Sequence, residues 1–221
     1  MQRIPEAELM QDAAQVKAYA GADFSEPHGH FIELLKSSIG VAEFSGAALD
    51  LGCGPGDITV RFARAFPGSR IDAVDGSLPM LEQARRQLPE ELQRQIVYVH
   101  GKLPDVHLPR QEYDIIFSNS LLHHLPDPSV LWKTLLKYAK PGARIALMDL
   151  LRPDSEQQAG TLLTLYAANE TKILQRDFYN SLLAAFTVEE IERQLADAGL
   201  ILTVARVSDR HCFISGRIPE L

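Results

Sequence analysis

The sequence predicts an α/β fold: a seven-stranded, mostly parallel sheet with an antiparallel final strand and helices on both faces. Three observations carry this reading. Between residues 47 and 148, short β-type runs alternate with helical runs, the pattern of a parallel sheet with helical crossovers. The first β-type run ends in glycines and leads straight into a helical run. The last two β-type runs, 201–207 and 211–217, are joined only by Ser208, Asp209 and Arg210. That link forces an antiparallel pair, because a parallel partner needs a crossover of about a dozen residues.

The elements follow in order. The first strand is 47–51, and a helix from Asp57 places Ile58, Phe62, Ala65 and Phe66 on one face. The second strand is 70–74, ending at Asp75; Ser77 then caps a helix carrying Leu78, Leu81, Ala84 and Leu88. Strands three and four are 96–99 and 113–117. Ser129 is the expected cap of a helix with Leu131, Leu135 and Tyr138, halted by Lys140-Pro141-Gly142. Strand five is 144–148. The alternation then lapses, and 153–186 reads as about two helices. Thr187-Val188-Glu189-Glu190 has capping-box spacing for a helix ending at Gly199. The expected organisation is one domain: a helical N-terminal cap (1–45), a cofactor-binding core (46–152), a helical insertion (153–186), and a C-terminal helix with two strands (187–221).

Composition narrows the function. The 221 residues carry a formal charge of −7, which argues against a nucleic-acid partner, since such affinity comes from a basic face. Two cysteines, Cys53 and Cys212, are too few for a disulfide scaffold or a four-thiolate metal site. No run approaches 18 apolar residues and the first residues lack a signal-peptide core, so no membrane partner and a cytoplasmic location are expected.

The strongest local signal is Asp50-Leu51-Gly52-Cys53-Gly54-Pro55-Gly56-Asp57. Glycines at a strand-to-helix turn allow positive φ and close ligand approach. Asp75 ends the next strand, where an acid can accept hydrogen bonds from both ribose hydroxyls. A dinucleotide fingerprint wants Gly or Ala where this chain has Asp57, and a carboxylate there repels a pyrophosphate. Acids on both sides of the turn suit a ligand with a cationic end. S-Adenosylmethionine has such an end and no phosphate.

These residues resemble class I S-adenosylmethionine-dependent methyltransferases. Ala48 through Gly56 looks like their first motif, and Val74-Asp75-Gly76-Ser77-Leu78-Pro79-Met80-Leu81 is similar to their second. Tyr113 through Asp127 resembles the fourth-strand segment, and Leu136 through Ala143 the helix and turn before strand five. The resemblance implies a Rossmann-like sheet, S-adenosylmethionine as methyl donor with S-adenosylhomocysteine as product, and methyl transfer to an acceptor. It implies a methionine half against Gly52, Cys53 and Gly54, with Asp50 near the ammonium and Asn119 and Ser120 on the same side. It also implies Asp75 on the ribose, with Gly76 and Met80 beside the adenine. Many relatives place an Asp after strand three to read the adenine amine. Here Lys102-Leu103 occupies that slot, and a lysine cannot accept from an amine.

His123 and His124 follow strand four at the ligand-binding end of the sheet, and one is a candidate general base. The alternative is packing against adenine. Tyr19, Phe24 and His28 belong to the N-terminal cap that folds over the donor in similar enzymes; Tyr19 is a further catalytic candidate, and Phe24 and His28 are expected to face the acceptor. Arg152, Tyr179 and Asn180 are likewise expected to face the acceptor, the last two from a polar patch in the insertion. His28-Gly29-His30 has metal-compatible spacing but no third ligand, so no metal is expected. The sequence lacks the Pro-Pro-aromatic run of base N-methylation, a placed cysteine nucleophile, and the thiols of arsenite methylation. What remains is a small-molecule acceptor, with a monomer or homodimer equally open. Two rivals are a protein that binds the cofactor without catalysis and a nicotinamide-dependent oxidoreductase.

Overall fold

The computed structural model describes residues 1–40 and 43–220. Seven strands form one sheet: β1 (Ser45–Leu51), β2 (Gly68–Asp75), β3 (Ile96–His100), β4 (Tyr113–Asn119), β5 (Ala139–Leu150), β6 (Leu202–Arg206) and β7 (His211–Arg217). Their spatial order is β3-β2-β1-β4-β5-β7-β6. All neighbours pair in parallel except β7, which runs antiparallel to both β5 and β6. The strand order reverses between β1 and β4, which opens a crevice at the carboxyl ends of the strands.

The sheet is buried on both faces because successive strand residues point to opposite sides and both sides are apolar. Leu49 and Leu51 of β1 face one layer, made by α5 (Ser129–Tyr138) and α8 (Val188–Asp197), with Trp132, Leu135, Ile191 and Leu195. Ala48 faces the other, made by α2 (Ser25–Ile39), α3 (Asp57–Ala65) and α4 (Leu78–Gln87). There Phe62 of α3 stacks on Phe117 of β4 with ring centroids 4.4 Å apart. Truncating either ring costs about 3–5 kcal/mol. The helix α2 therefore does more than cover the site: Phe31, Leu35 and Ile39 are fully buried in this layer. Coverage of the site is shared by the first turn of α2, by α1 (Ala13–Gly21), α6 (Glu156–Ala167) and α7 (Lys172–Ala184), and by the irregular residues 1–12.

Two junctions differ from the sequence expectation. Ser129 is the first residue of α5 rather than its cap; Asp127 accepts from both the Ser129 N–H (2.9 Å) and its hydroxyl (2.8 Å). The Lys140-Pro141-Gly142 breaker does end the helix, but it lies within β5, with Gly142 at φ +78°. The expected capping box forms at Thr187 and Glu190.

Candidate functional site

A cavity of about 550 Å³ opens at the switch point between β1 and β4. Its floor is the turn after β1. Gly52 sits at φ +71° and Gly56 at φ +86°, conformations that disfavour a side chain. A Cβ on Gly52 would come within 2.9 Å of Leu121, and one on Gly56 would strike the Tyr98 hydroxyl. Gly54, at φ +53°, faces open space. The turn is pinned from β2, because the Gly52 and Cys53 N–H groups both donate to the Val74 carbonyl (2.8 and 2.9 Å).

Asp75 closes the turn from the other side. Its carboxylate accepts from the Gly54 N–H (2.8 Å) and the Ser77 N–H (2.7 Å). Burial raises its pKa, against the opposing pull of those two bonds. Two backbone donors thus fix the carboxylate and leave further lone pairs for ligand hydroxyls. Asp50 lies deeper, 1% exposed, accepting from the Thr59 hydroxyl at 2.5 Å. Burial pushes its pKa up to about 7, with the Asp75 charge adding to the rise. Burial likewise holds the Cys53 thiol well above its ordinary range, so it is no thiolate.

Asn119 ends β4; its carboxamide oxygen is buried without a hydrogen-bond partner, while its amide donates to Ser120 (3.2 Å). Ser120 follows at φ +57°, a left-handed conformation in a non-glycine residue. Three rings form a wall of the cavity: Tyr19 tilted against Phe24 at 4.9 Å, and Phe24 stacked on His28 at 5.1 Å. His28 Nδ1 is 2.6 Å from Asp57, which also accepts from Arg61 at 2.7 Å. Burial works against the Asp57 charge, but these two partners outweigh it and hold its pKa low. A persistent carboxylate therefore stands at the entrance of α3. Burial raises the Tyr19 pKa to about 12, so its phenol stays protonated.

Two histidines from the turn after β4 add to the lining. His123 is 2% exposed and pairs through Nδ1 with Asp149 at 2.6 Å. Asp149 also accepts from the Leu122 and Leu150 N–H groups (2.7 and 2.8 Å). Burial alone would lower the His123 pKa, yet the Asp149 charge and hydrogen bond raise it. His124 is driven the other way, to about 3, by burial and then by His123. Glu6 approaches both rings, 3.6 Å from His123 Nε2 and 3.2 Å from His124 Nδ1.

Residues 1–12 run as a strap from the histidines to the turn after β2. Arg3 donates to the carbonyls of Ala184 (2.6 Å), His123 (2.9 Å) and Leu125 (3.1 Å), and its guanidinium lies 4.0 Å over the Phe186 ring. Ser77 donates to the Met10 carbonyl, and Leu9 packs against Gly76.

The structure brings most expected residues to this cavity: Tyr19, Phe24, His28, Asp50, Gly52, Cys53, Gly54, Asp75, Gly76, Met80, Lys102, Leu103, Asn119, Ser120, His123 and His124 all line it. Lys102 is spoken for by the strap, pairing with Glu8 at 2.7 Å. Arg152, Tyr179 and Asn180 do not line it. The Arg152 guanidinium turns into the fold, donating to Glu190 (2.6 Å) and the Ala185 carbonyl (3.1 Å). On α7 the cavity face is Leu174, Asp177, Phe178 and Ser181, which leaves Tyr179 packed against α6 and Asn180 exposed. Sequence reasoning missed Glu6, Asp149 and the strap. Asp149 carried a readable signal, as an acid in the apolar run Ile145-Ala146-Leu147-Met148-Asp149-Leu150.

A glycine turn at a switch point, with an acid closing the second strand, defines a nucleoside-binding site of the class I methyltransferase type. Comparison with known proteins agrees. A family model described as a methyltransferase domain matches residues 49–145. The trans-aconitate 2-methyltransferase of Methylobacterium radiotolerans is 35% identical over 194 residues, covering 78% of this chain and 72% of that protein. The Azoarcus protein of the same name is 34% identical over 103 residues, covering 47% of this chain but only 38% of its own length. A crystallised SAM-dependent methyltransferase from Aquifex aeolicus shares the fold with a TM-score of 0.72 at 18% identity, covering 95% of this chain and all of that one. The chain belongs to the class I S-adenosylmethionine-dependent methyltransferase family.

The cavity fits that cofactor. The Asn119 oxygen is unpartnered, Gly54 faces open space, and Asp75 keeps lone pairs beyond its two backbone bonds. Among the described residues, no helix is long and apolar enough to cross a membrane.

Proposed function

We propose that this protein transfers a methyl group from S-adenosylmethionine to a small-molecule acceptor held at the histidine end of the cavity. The observation that carries the reading is the Asp75 carboxylate, locked by the Gly54 and Ser77 amides at the mouth of the glycine turn. When bound, the cofactor supplies an electrophilic methyl on a sulfonium, and the displacement itself needs little from the protein beyond alignment and exclusion of water.

The residues divide that work. Asp75 takes the ribose, while Met80, Gly76, Leu103 and the strap residues Leu9 and Met10 enclose the base. Gly52, Gly54, Asn119 and Ser120 take the methionine half. Asp50 faces its cationic end, where a positive charge draws the carboxyl toward its ionised form. Tyr19, Phe24 and His28 wall the donor off from solvent. His123, held by Asp149, presents Nε2 toward Glu6 and the cavity, where an acceptor heteroatom would lie.

The acceptor class follows from charge. Eight carboxylate side chains line the cavity against three lysine and arginine side chains and four histidines. The lysine and both arginines already have acidic partners: Arg61 with Asp57, Lys102 with Glu8, Arg210 with Asp209. Such a lining repels a polyanion. The relatives are named for trans-aconitate, a tricarboxylate, and we infer that the acceptor here is instead neutral or cationic.

A labelled-methyl assay tests both parts, with a panel of neutral and amine-bearing small molecules beside trans-aconitate. Transfer to members of the neutral or cationic set supports the reading. Transfer to trans-aconitate alone would overturn the acceptor assignment while leaving the activity intact.

A further inference from the structure

Three ligand atoms from three residues converge at the histidine end. The Glu6 carboxylate, His123 and His124 each offer one, all within 4.8 Å of one another. Glu6 Oε1 lies 3.2 Å from His124 Nδ1 and 3.6 Å from His123 Nε2. Tetrahedral ligands at about 2.1 Å from a zinc-sized ion are separated by about 3.4 Å. The two Glu6 edges bracket that value, and the His123–His124 edge lies within 4.8 Å.

Three independent features turn the cluster into a built site. His124 Nδ1 is buried with no hydrogen-bond partner; Glu6 is close to it but not aligned for a bond. Asp149 holds the far nitrogen of His123 at 2.6 Å and is itself fixed by two backbone amides. This is the carboxylate–histidine arrangement that orients a metal-bound ring and raises its basicity. Ser181 donates to Glu6 Oε1 at 2.8 Å, which sets the carboxylate in place.

We propose that Glu6, His123 and His124 form a site for one divalent transition-metal ion, of the two-histidine, one-carboxylate type, with its open position toward the acceptor space. The proposal rests on the methyltransferase reading above and deepens it. Two imidazoles and one carboxylate suit zinc or a neighbouring first-row ion rather than magnesium or calcium, which prefer all-oxygen shells. Both histidines line the cavity, so the ion would meet an acceptor oxygen or nitrogen there. The acidic lining favours a dication for the same reason that it disfavours a polyanion. The site draws on the strap and the turn after β4, so metal uptake also ties residues 1–12 to the sheet. The expectation of no metal rests only on His28 and His30, and His28 is occupied by Asp57.

The test uses the full chain, stripped with chelator and titrated with Co²⁺ followed by optical absorption and with Zn²⁺ by calorimetry. One equivalent is expected, with the intense visible bands of low-coordinate cobalt. Glu6→Gln and His124→Ala should each weaken Zn²⁺ by more than the roughly 10–100-fold that loss of an outer-shell partner costs, and Asp149→Asn by about that amount. S-Adenosylhomocysteine affinity, measured on the same samples, reports folding and the donor site separately. Wild-type protein that binds S-adenosylhomocysteine but takes up no Co²⁺ or Zn²⁺ would overturn the metal site and leave the donor site standing. Equal Zn²⁺ uptake by the Glu6 and His124 variants would overturn it too, by placing the metal elsewhere.

Discussion

Replacing Asp75 by alanine separates two roles that one carboxylate performs. In the free protein the side chain accepts from the Gly54 and Ser77 amides at 2.8 and 2.7 Å. Hydrogen bonds to a charged acceptor contribute about 1.5–3 kcal/mol each. Relief from burying the carboxylate, the first cause of its raised pKa, offsets part of that loss. The net destabilisation is about 2–4 kcal/mol, or a fall in Tm of about 4–16 °C for a chain of this size. In the complex the same oxygens are assigned to two ribose hydroxyls, and their loss weakens S-adenosylhomocysteine by about 1–3 kcal/mol, roughly 5- to 150-fold in Kd. Thermal unfolding measures the first effect, and calorimetry on the folded variant the second. A folded Asp75→Ala protein whose Kd stays within about twofold of wild type would refute the ribose assignment.

Asp50 has a folded pKa raised to about 7 by burial, so its contribution to stability is present at acid pH and is lost as pH rises through about 7. Asp50→Asn should therefore gain stability relative to wild type as pH rises from about 4 to 8, in denaturant melts across that range. The gain is at most about 4 kcal/mol, since each tenfold change in an acid constant is worth about 1.4 kcal/mol. A cationic ligand end favours the ionised form, so S-adenosylmethionine binding near pH 6 should release protons, seen as a dependence of calorimetric heat on buffer ionisation enthalpy. Arg152→Ala leaves Glu190 half-paired and should cost about 3 kcal/mol or more in unfolding titrations, with S-adenosylhomocysteine affinity unchanged because the side chain lies outside the cavity. Lys102→Ala removes an exposed pair with Glu8 and should change stability by less than about 1 kcal/mol; a large loss of nucleoside affinity would instead show that Lys102 reads the adenine.

The sheet was legible because its central strands β1, β4 and β5 are apolar runs buried on two faces, which no amphipathic helix imitates. β2, β4 and β7 lie within two residues of their expected bounds, and the three-residue link before His211 fixed the antiparallel turn. β5 is longer than expected, since Pro141 and Gly142 look like a loop, yet the strand pairs from Ala139 across a register shift. The donor half of the site was readable for a related reason: backbone geometry at a tight turn restricts residue choice. The acceptor half was not. Tyr179 and Asn180 failed on helical phase, because the lining residues of α7 are its neighbours at 177, 178 and 181. Arg152 failed because its partner, Glu190, lies 38 positions away. Glu6 reaches His123 from a segment without periodicity, so no local pattern announces it.

In the proposed function, this cavity binds the methyl donor through the glycine turn and Asp75. Calorimetric titration of the folded chain with S-adenosylhomocysteine, and with NAD in parallel, tests it most directly. One equivalent of S-adenosylhomocysteine is expected to bind at micromolar affinity with no NAD heat, since the Asp57 carboxylate held by His28 and Arg61 guards the helix entrance against a pyrophosphate. Folded protein that ignores S-adenosylhomocysteine, or prefers NAD, would contradict it.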